Sequence, residues 1–109
     1  MAEFRRGTAV MLQNGEAATI IKKIGEGGQG SVYLVDIRGS EYALKWYHAN
    51  SLNSPRKFYK NLENNIELGA PTQSFLWPKF LTEITNGEFG YVMDLKPDGY
   101  KSFSDFLLT

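Results

Sequence analysis

The 109-residue sequence predicts an α+β domain, a twisted antiparallel sheet with one helix packed on it. Three observations lead there. In the first half, short apolar and β-branched runs are separated by turn residues, Asn14-Gly15 and Arg38-Gly39-Ser40 among them. The period then changes: Phe58, Leu62 and Ile66 recur every four residues as one apolar stripe. Two further strand-like runs follow the stripe, around Asn86-Gly87.

Each element has a local reason. Ala9 to Leu12 and Ala17 to Ile24 flank Asn14-Gly15, two residues that tolerate positive φ and so signal a hairpin. Ser31 to Ile37 is rich in β-branched and aromatic residues, Arg38-Gly39-Ser40 turns the chain, and Glu41 to Tyr47 is a fourth strand. Ser54 is placed to cap a helix and Pro55 suits its first position. Gly69, with Pro71 beyond it, is the stop, giving a helix over Pro55 to Leu68 of about four turns. Phe80 to Ile84 and Phe89 to Met93 read as strands. Pro97, Asp98 and Gly99 break the pattern, and Ser104 to Leu108 reads as the opening of another helix. The sheet is expected to hold about five strands plus an extra N-terminal one.

Composition narrows the function classes. Net charge is zero, without the clustered basic surface that nucleic acid requires. There are no cysteines, which removes disulfides and thiolate metal sites, and the single His48 cannot build a zinc site alone. No stretch approaches the roughly 18 apolar residues of a membrane span, and the polar, basic start from Met1 to Arg6 is not a signal peptide. No membrane partner and a cytoplasmic setting are therefore expected.

The chemistry centres on Gly25-Glu26-Gly27-Gly28-Gln29-Gly30, a G-x-G-x-x-G segment. In isolation the motif fits a flexible hairpin turn as well as a phosphate cradle. A dinucleotide fold would open a helix here, with a carboxylate about 20 residues on. Instead Ser31-Val32-Tyr33-Leu34-Val35 is a strand, and His48 to Ser51 offer no carboxylate. Glycines between two antiparallel strands let a backbone approach phosphates closely and turn N–H groups toward them. Ala43 and Lys45, two apart on the next strand, share a face. A small side chain beside a lysine suits an adenine ring with a phosphate tail. Lys45 sits among Tyr42, Ala43, Leu44, Trp46 and Tyr47, and a charge in so apolar a strand needs a partner.

Ile24-Gly25-Glu26-Gly27-Gly28-Gln29-Gly30-Ser31-Val32-Tyr33 resembles the glycine-rich loop of eukaryotic-type (Hanks-type) protein kinases. Tyr42-Ala43-Leu44-Lys45 resembles the family's third strand, and Tyr91-Val92-Met93-Asp94-Leu95 its fifth strand running into the hinge between lobes. The three motifs come in the family's order, over about Ile20 to the end, with something of the bacterial serine/threonine kinases. The resemblance implies an N-terminal lobe that binds ATP. Ile24, Gly25, Gly27, Gly28 and Gly30 would cover the nucleotide, Val32 and Ala43 would roof the adenine, and Lys45 would hold the α- and β-phosphates. Met93 would stand at the back of the pocket, with the carbonyl of Asp94 and the backbone of Lys96 on the adenine edge. In the family a helix glutamate pairs with the strand lysine. Glu63, 18 residues after Lys45, fits that spacing better than Glu67 at 22, although the family usually has an apolar residue where Glu67 stands. The loop tip departs too: Gln29 replaces the usual aromatic residue and Gly28 is an extra glycine.

The same resemblance implies a division into an N-terminal hairpin extension (1–19), the kinase small lobe (20–95) and a hinge with the start of a large lobe (96–109). The sequence contains no His-Arg-Asp and no Asp-Phe-Gly motif, which supply the base and the magnesium ligands in this chemistry. The chain is therefore expected to be a fragment of a longer kinase, inactive alone. Its parent would transfer the γ-phosphoryl group of ATP, with magnesium, to serine or threonine hydroxyls of a protein bound through the missing lobe. A pseudokinase or scaffold lobe and an unrelated β-rich interaction module are the alternatives. Leu95, Phe103 and Phe106, uncovered without the large lobe, are expected to promote self-association.

Overall fold

The computed structural model describes residues 4–27, 30–48, 54–69, 75–85, 87–95 and 101–102. Strands β1 (Ala9–Met11), β2 (Ala17–Glu26), β3 (Gly30–Ile37) and β4 (Ser40–Tyr47) precede helix α1 (Pro55–Leu68). Then come β5 (Phe75–Leu76), β6 (Phe80–Leu81), β7 (Phe89–Met93) and β8 (Lys101–Ser102). Six strands form one antiparallel sheet in the order β1-β2-β3-β4-β7-β6, and β5 pairs in parallel with β8. The α+β reading and the count of five strands plus one hold. The small β5–β8 pair was not foreseen, and Ser104 to Leu108 lie outside the described residues.

Both turns fall where the sequence places them, and they differ in length. Asn14-Gly15 is not a two-residue turn. Gln13, Asn14 and Gly15 together bridge Leu12 and Glu16, with Gly15 alone at positive φ (88°). Asn14 Oδ1 accepts the Glu16 N–H at 2.9 Å, which favours the longer loop. The tight turn belongs to Arg38-Gly39, where both residues have positive φ (54° and 86°) between paired Ile37 and Ser40. Ser54 precedes the helix but makes no side-chain cap bond; its carbonyl takes the Phe58 N–H at 3.0 Å. Gly69 ends the helix at φ 81°, its N–H on the Asn65 carbonyl.

The strand expected from Phe80 to Ile84 is shorter because its far end serves another neighbour. Thr82 bridges to Leu12, the Gln13 N–H donates to the Leu81 carbonyl at 2.8 Å, and the Glu83 N–H to the Met11 carbonyl at 3.0 Å. These bonds join β1 to the β6 edge, so the sheet curls and closes on itself. The curl separates two cores. Inside lie Val10, Leu12, Ala18, Ile20, Tyr33, Val35, Ile37, Leu44, Trp46 and Val92. Phe4 covers them edge-on to Trp46 (4.8 Å) and Tyr33 (5.4 Å). Outside, Ala43, Tyr47, Leu81, Phe89, Tyr91 and Met93 pack with Leu62 of the helix.

Strand β4 is approached closely on both sides. A Cβ on Gly90 of β7 would lie 2.1 Å from the Lys45 carbonyl oxygen, and one on Gly30 of β3 1.8 Å from that of Trp46. Both collisions are with backbone, which has little room to give. Gly90→Ala is expected to lower stability by about 1–3 kcal/mol, the range of overpacked cores. Urea unfolding with an unchanged midpoint would show that β7 can move away from β4.

Candidate functional site

Opposite residues of an antiparallel ladder share a face. Val32, Lys45 and Tyr91 therefore make one row across the outer face of β3, β4 and β7, and Leu34, Ala43 and Met93 the next. Tyr47 lies opposite Phe89 in the row beyond Lys45. The residues picked out on β3, β4 and β7 thus come together on one surface, with Met93 buried (6% exposed). Ile24, by contrast, is 47% exposed at the base of the glycine segment.

The glycine segment lies between β2 and β3, and its described residues pair across the two strands. Gly25 pairs with Val32 and Glu26 with Ser31, and the Gly27 N–H donates to the Gly30 carbonyl at 2.9 Å. Two register shifts, between Ile20 and Lys22 and between Lys23 and Gly25, twist β2 as it nears the turn. The Lys23 ammonium bonds the Glu26 carboxylate at its base. Gly28 and Lys96 lie outside the described residues. The glycines differ in what requires them. Gly30 is forced by the Trp46 carbonyl, whereas a Cβ on Gly27 would meet nothing within 4 Å. Packing within the described residues gives no reason for Gly27.

Lys45 is half-buried, and its ammonium lies over the Tyr47 ring, 5.7 Å from the centroid. This is within cation–π range. Burial holds the Tyr47 phenol protonated well above its ordinary range, and the adjacent Tyr91 hydroxyl adds to the shift. Tyr47 is wedged against Phe58 (5.0 Å, edge-on), Phe89 (6.0 Å) and Tyr91 (6.2 Å). Its spacing from Lys45, two residues along one strand, is the signal by which the sequence could have revealed it.

The helix carboxylates lie elsewhere. Glu63 Oε2 accepts a hydrogen bond from Gln13 Nε2 at 2.9 Å, and Oε1 is 4.0 Å from Lys60 Nζ. Gln13 Nε2 also donates to the Tyr59 hydroxyl at 2.9 Å, and that hydroxyl donates to the Thr82 carbonyl at 2.8 Å. Partial burial raises the Tyr59 phenol's pKa; the Gln13 N–H opposes the shift, and the Glu63 and Glu83 charges add to it. Glu67 is exposed and lines, with Glu63, a groove of about 360 Å3 floored by Ile66, Phe80 and Leu81. Lys45 is not among that groove's walls. At the helix end, Trp77 Nε1 donates to the Asn65 carbonyl at 2.7 Å. Asp94, at the exit of β7, pairs with Lys79 at 3.1 Å. Among the described residues no three potential metal ligands gather, and no helix is long and apolar enough to cross a membrane.

A curled six-stranded antiparallel sheet with one helix on its outer face is the fold of a protein kinase N-terminal lobe. Among solved structures the chain is similar to the PknI kinase domain of Mycobacterium tuberculosis, with a TM-score of 0.63 at 20% identity. That match covers 86% of this chain and 37% of that one. Vaccinia related kinase 3 gives 0.64 at 12% identity, covering 87% and 32%, and the BubR1 kinase domain 0.57 at 24%, covering 88% and 28%. The likeness is one of fold, and the chain spans about a third of the length of these solved chains. No protein-family model and no curated protein matches the sequence.

The bonds of Gln13 tie the N-terminal hairpin to the helix. Gln13→Ala is expected to cost about 1 kcal/mol in urea unfolding and to speed amide exchange in the helix turn around Tyr59 and Glu63. Unchanged exchange there would show that the hairpin does not hold the helix.

Proposed function

We propose that this chain is the ATP-binding small lobe of a protein serine/threonine kinase, one half of a cleft whose other half carries the catalytic and metal-binding loops. The observation that supports this most directly is the ladder. Lys45 stands directly across from Val32, two residues past the last glycine, with Ala43 on the same face. The open space over Gly27 is consistent with a phosphate lying there, since close approach of a ligand is one reason to keep a glycine.

In this assignment Gly25, Gly27, Gly28 and Gly30 offer backbone to the phosphates and Lys45 neutralises the α- and β-phosphates. Ile24, Val32 and Ala43 cover the adenine. Met93 closes the back of the pocket, and the Asp94 carbonyl and Lys96 backbone meet the adenine edge. Magnesium, where the full cleft uses it, would be held by residues outside this chain and would supply positive charge to neutralise the phosphates. Residues 1–19 are a hairpin extension, 20–95 the lobe proper and 96–109 the hinge with the start of the large lobe. The protein substrate binds the other lobe, and the setting is cytoplasmic. The isolated chain self-associates through the strip that includes Leu95, Phe103 and Phe106.

One observation favours a second reading, a pseudokinase or scaffold lobe: the Glu63 carboxylate is occupied by Gln13 and Lys60. An ATP titration followed by amide chemical shifts separates the two. The ATP-binding reading expects Gly25, Val32, Ala43 and Met93 to respond with a dissociation constant on the order of millimolar, because half a cleft leaves little surplus after the cost of association. Lys45→Met should weaken that response, and no γ-phosphoryl transfer should be seen from the chain alone. Silence of those four amides favours the scaffold.

A further inference from the structure

The charges of α1 run against its dipole. Arg56 and Lys57 stand in the first turn and Glu67 in the last, with no acidic residue in the first turn and no basic one in the last. The partial charges at helix ends favour the opposite arrangement. At about 100° per residue, Arg56, Lys60, Glu63 and Glu67 also fall within an arc of about 60°. They form one stripe about 16 Å long, basic in its first half and acidic in its second. Neighbours along it repel: Arg56 and Lys60 are four apart, and so are Glu63 and Glu67. At the centre of the stripe Lys60 and Glu63 attract each other across 4.0 Å. Arg56, Lys60 and Glu67 are exposed, and the Glu63 side chain keeps 34% of its surface open to solvent.

The stripe is its own complement. Lys60 and Glu63 lie equally far from the midpoint between Asn61 and Leu62, and so do Arg56 and Glu67. A second α1 laid antiparallel along the stripe, about a two-fold axis through that midpoint, sets Arg56 against the partner's Glu67 and Lys60 against the partner's Glu63. The symmetry repeats both pairs. We propose that this face of α1 is a docking surface for a second copy of the chain, an isologous, antiparallel helix pair joined by these complementary charges. Each helix then lays its C-terminal end beside the partner's N-terminal end, so the dipoles oppose and each misplaced charge gains a counterion. Glu67 lines the groove floored by Ile66, Phe80 and Leu81, so the aliphatic stem of the partner's Arg56 would cover part of that apolar floor. This surface uses none of Leu95, Phe103 and Phe106, and it does not depend on whether the lobe binds ATP.

The test is sedimentation equilibrium of the 109-residue chain. The parent should dimerise weakly, with a dissociation constant on the order of 0.1–1 mM, because exposed charge pairs each contribute little. Raising salt from about 50 mM to about 500 mM should weaken the dimer about tenfold. Arg56→Glu and Glu67→Arg, each alone, turn both outer pairs into like charges and should raise the constant about tenfold. Mixed in equal amounts, the two variants should form a mixed dimer within about threefold of the parent's strength, because each supplies the charge the other lacks. The double variant R56E/E67R should dimerise like the parent for the same reason. Both substitutions bring the helix charges into line with the dipole, so neither should lower stability in urea. If either fails to fold, the double variant decides alone. A parent that stays monomeric at about 1 mM overturns the proposal. Dimers that neither single variant weakens, as a strip at Leu95 would give, overturn it too, and so does a mixture no tighter than its components.

Discussion

Strand β4 lies between two neighbours that each reach it through a glycine. Gly30 of β3 comes against the Trp46 carbonyl and Gly90 of β7 against that of Lys45, at separations that no Cβ would permit. This close approach fixes the ladder in which Val32, Lys45 and Tyr91 share a row and Ala43 and Met93 share the next. Because side chains alternate along a strand, one register also sends Leu44 and Trp46 to the inside of the curl and Ala43, Lys45 and Tyr47 to the outside. A slip of one residue would exchange the two sets. Core and candidate site are consequences of the same pairing.

Closure of the sheet depends on the N-terminal hairpin. An open edge at β6 would leave backbone groups unpaired, and Leu12 with its neighbours takes them up. The same hairpin reaches the helix through Gln13, whose side chain touches both Tyr59 and Glu63. Residues outside the glycine and lysine motifs thus set where the helix carboxylate goes. Burial reinforces the choice. A buried leucine contributes about 1.5–3 kcal/mol, more than an exposed hydrogen bond, so the phase with Leu62 inward outweighs one with Glu63 inward.

Two surfaces of the lobe therefore differ in chemistry. The outer face of β3 and β4 carries Val32, Ala43 and Lys45, the groups proposed above to meet a planar ring with an anionic tail. The opposite flank of the helix carries the carboxylates, the hairpin and the groove over Phe80 and Leu81. Solved kinase domains share the fold at 12–24% identity, while the chemistry proposed here rests on the placement of this chain's own side chains.

The sequence by itself determined the longer elements and the shared face of the motif residues. The β-branched and aromatic runs of β3 and β4 and the four-residue stripe of Phe58, Leu62 and Ile66 are local patterns, visible without a partner strand. Local rules likewise place Val32 near Ala43 and Lys45, because a tight turn at Arg38-Gly39 leaves β3 and β4 only one convenient register. What the tertiary structure decided was every contact between distant segments: the pairing of Leu12 with Thr82, the approach of Gly90 to Lys45, and the capture of Glu63 by Gln13. Spacing from Lys45 marks Glu63 as within reach along the chain, but reach is a scalar and a helix residue also has a direction. That direction is set by which side chain the core buries most completely, and burial is a property of the assembled sheet.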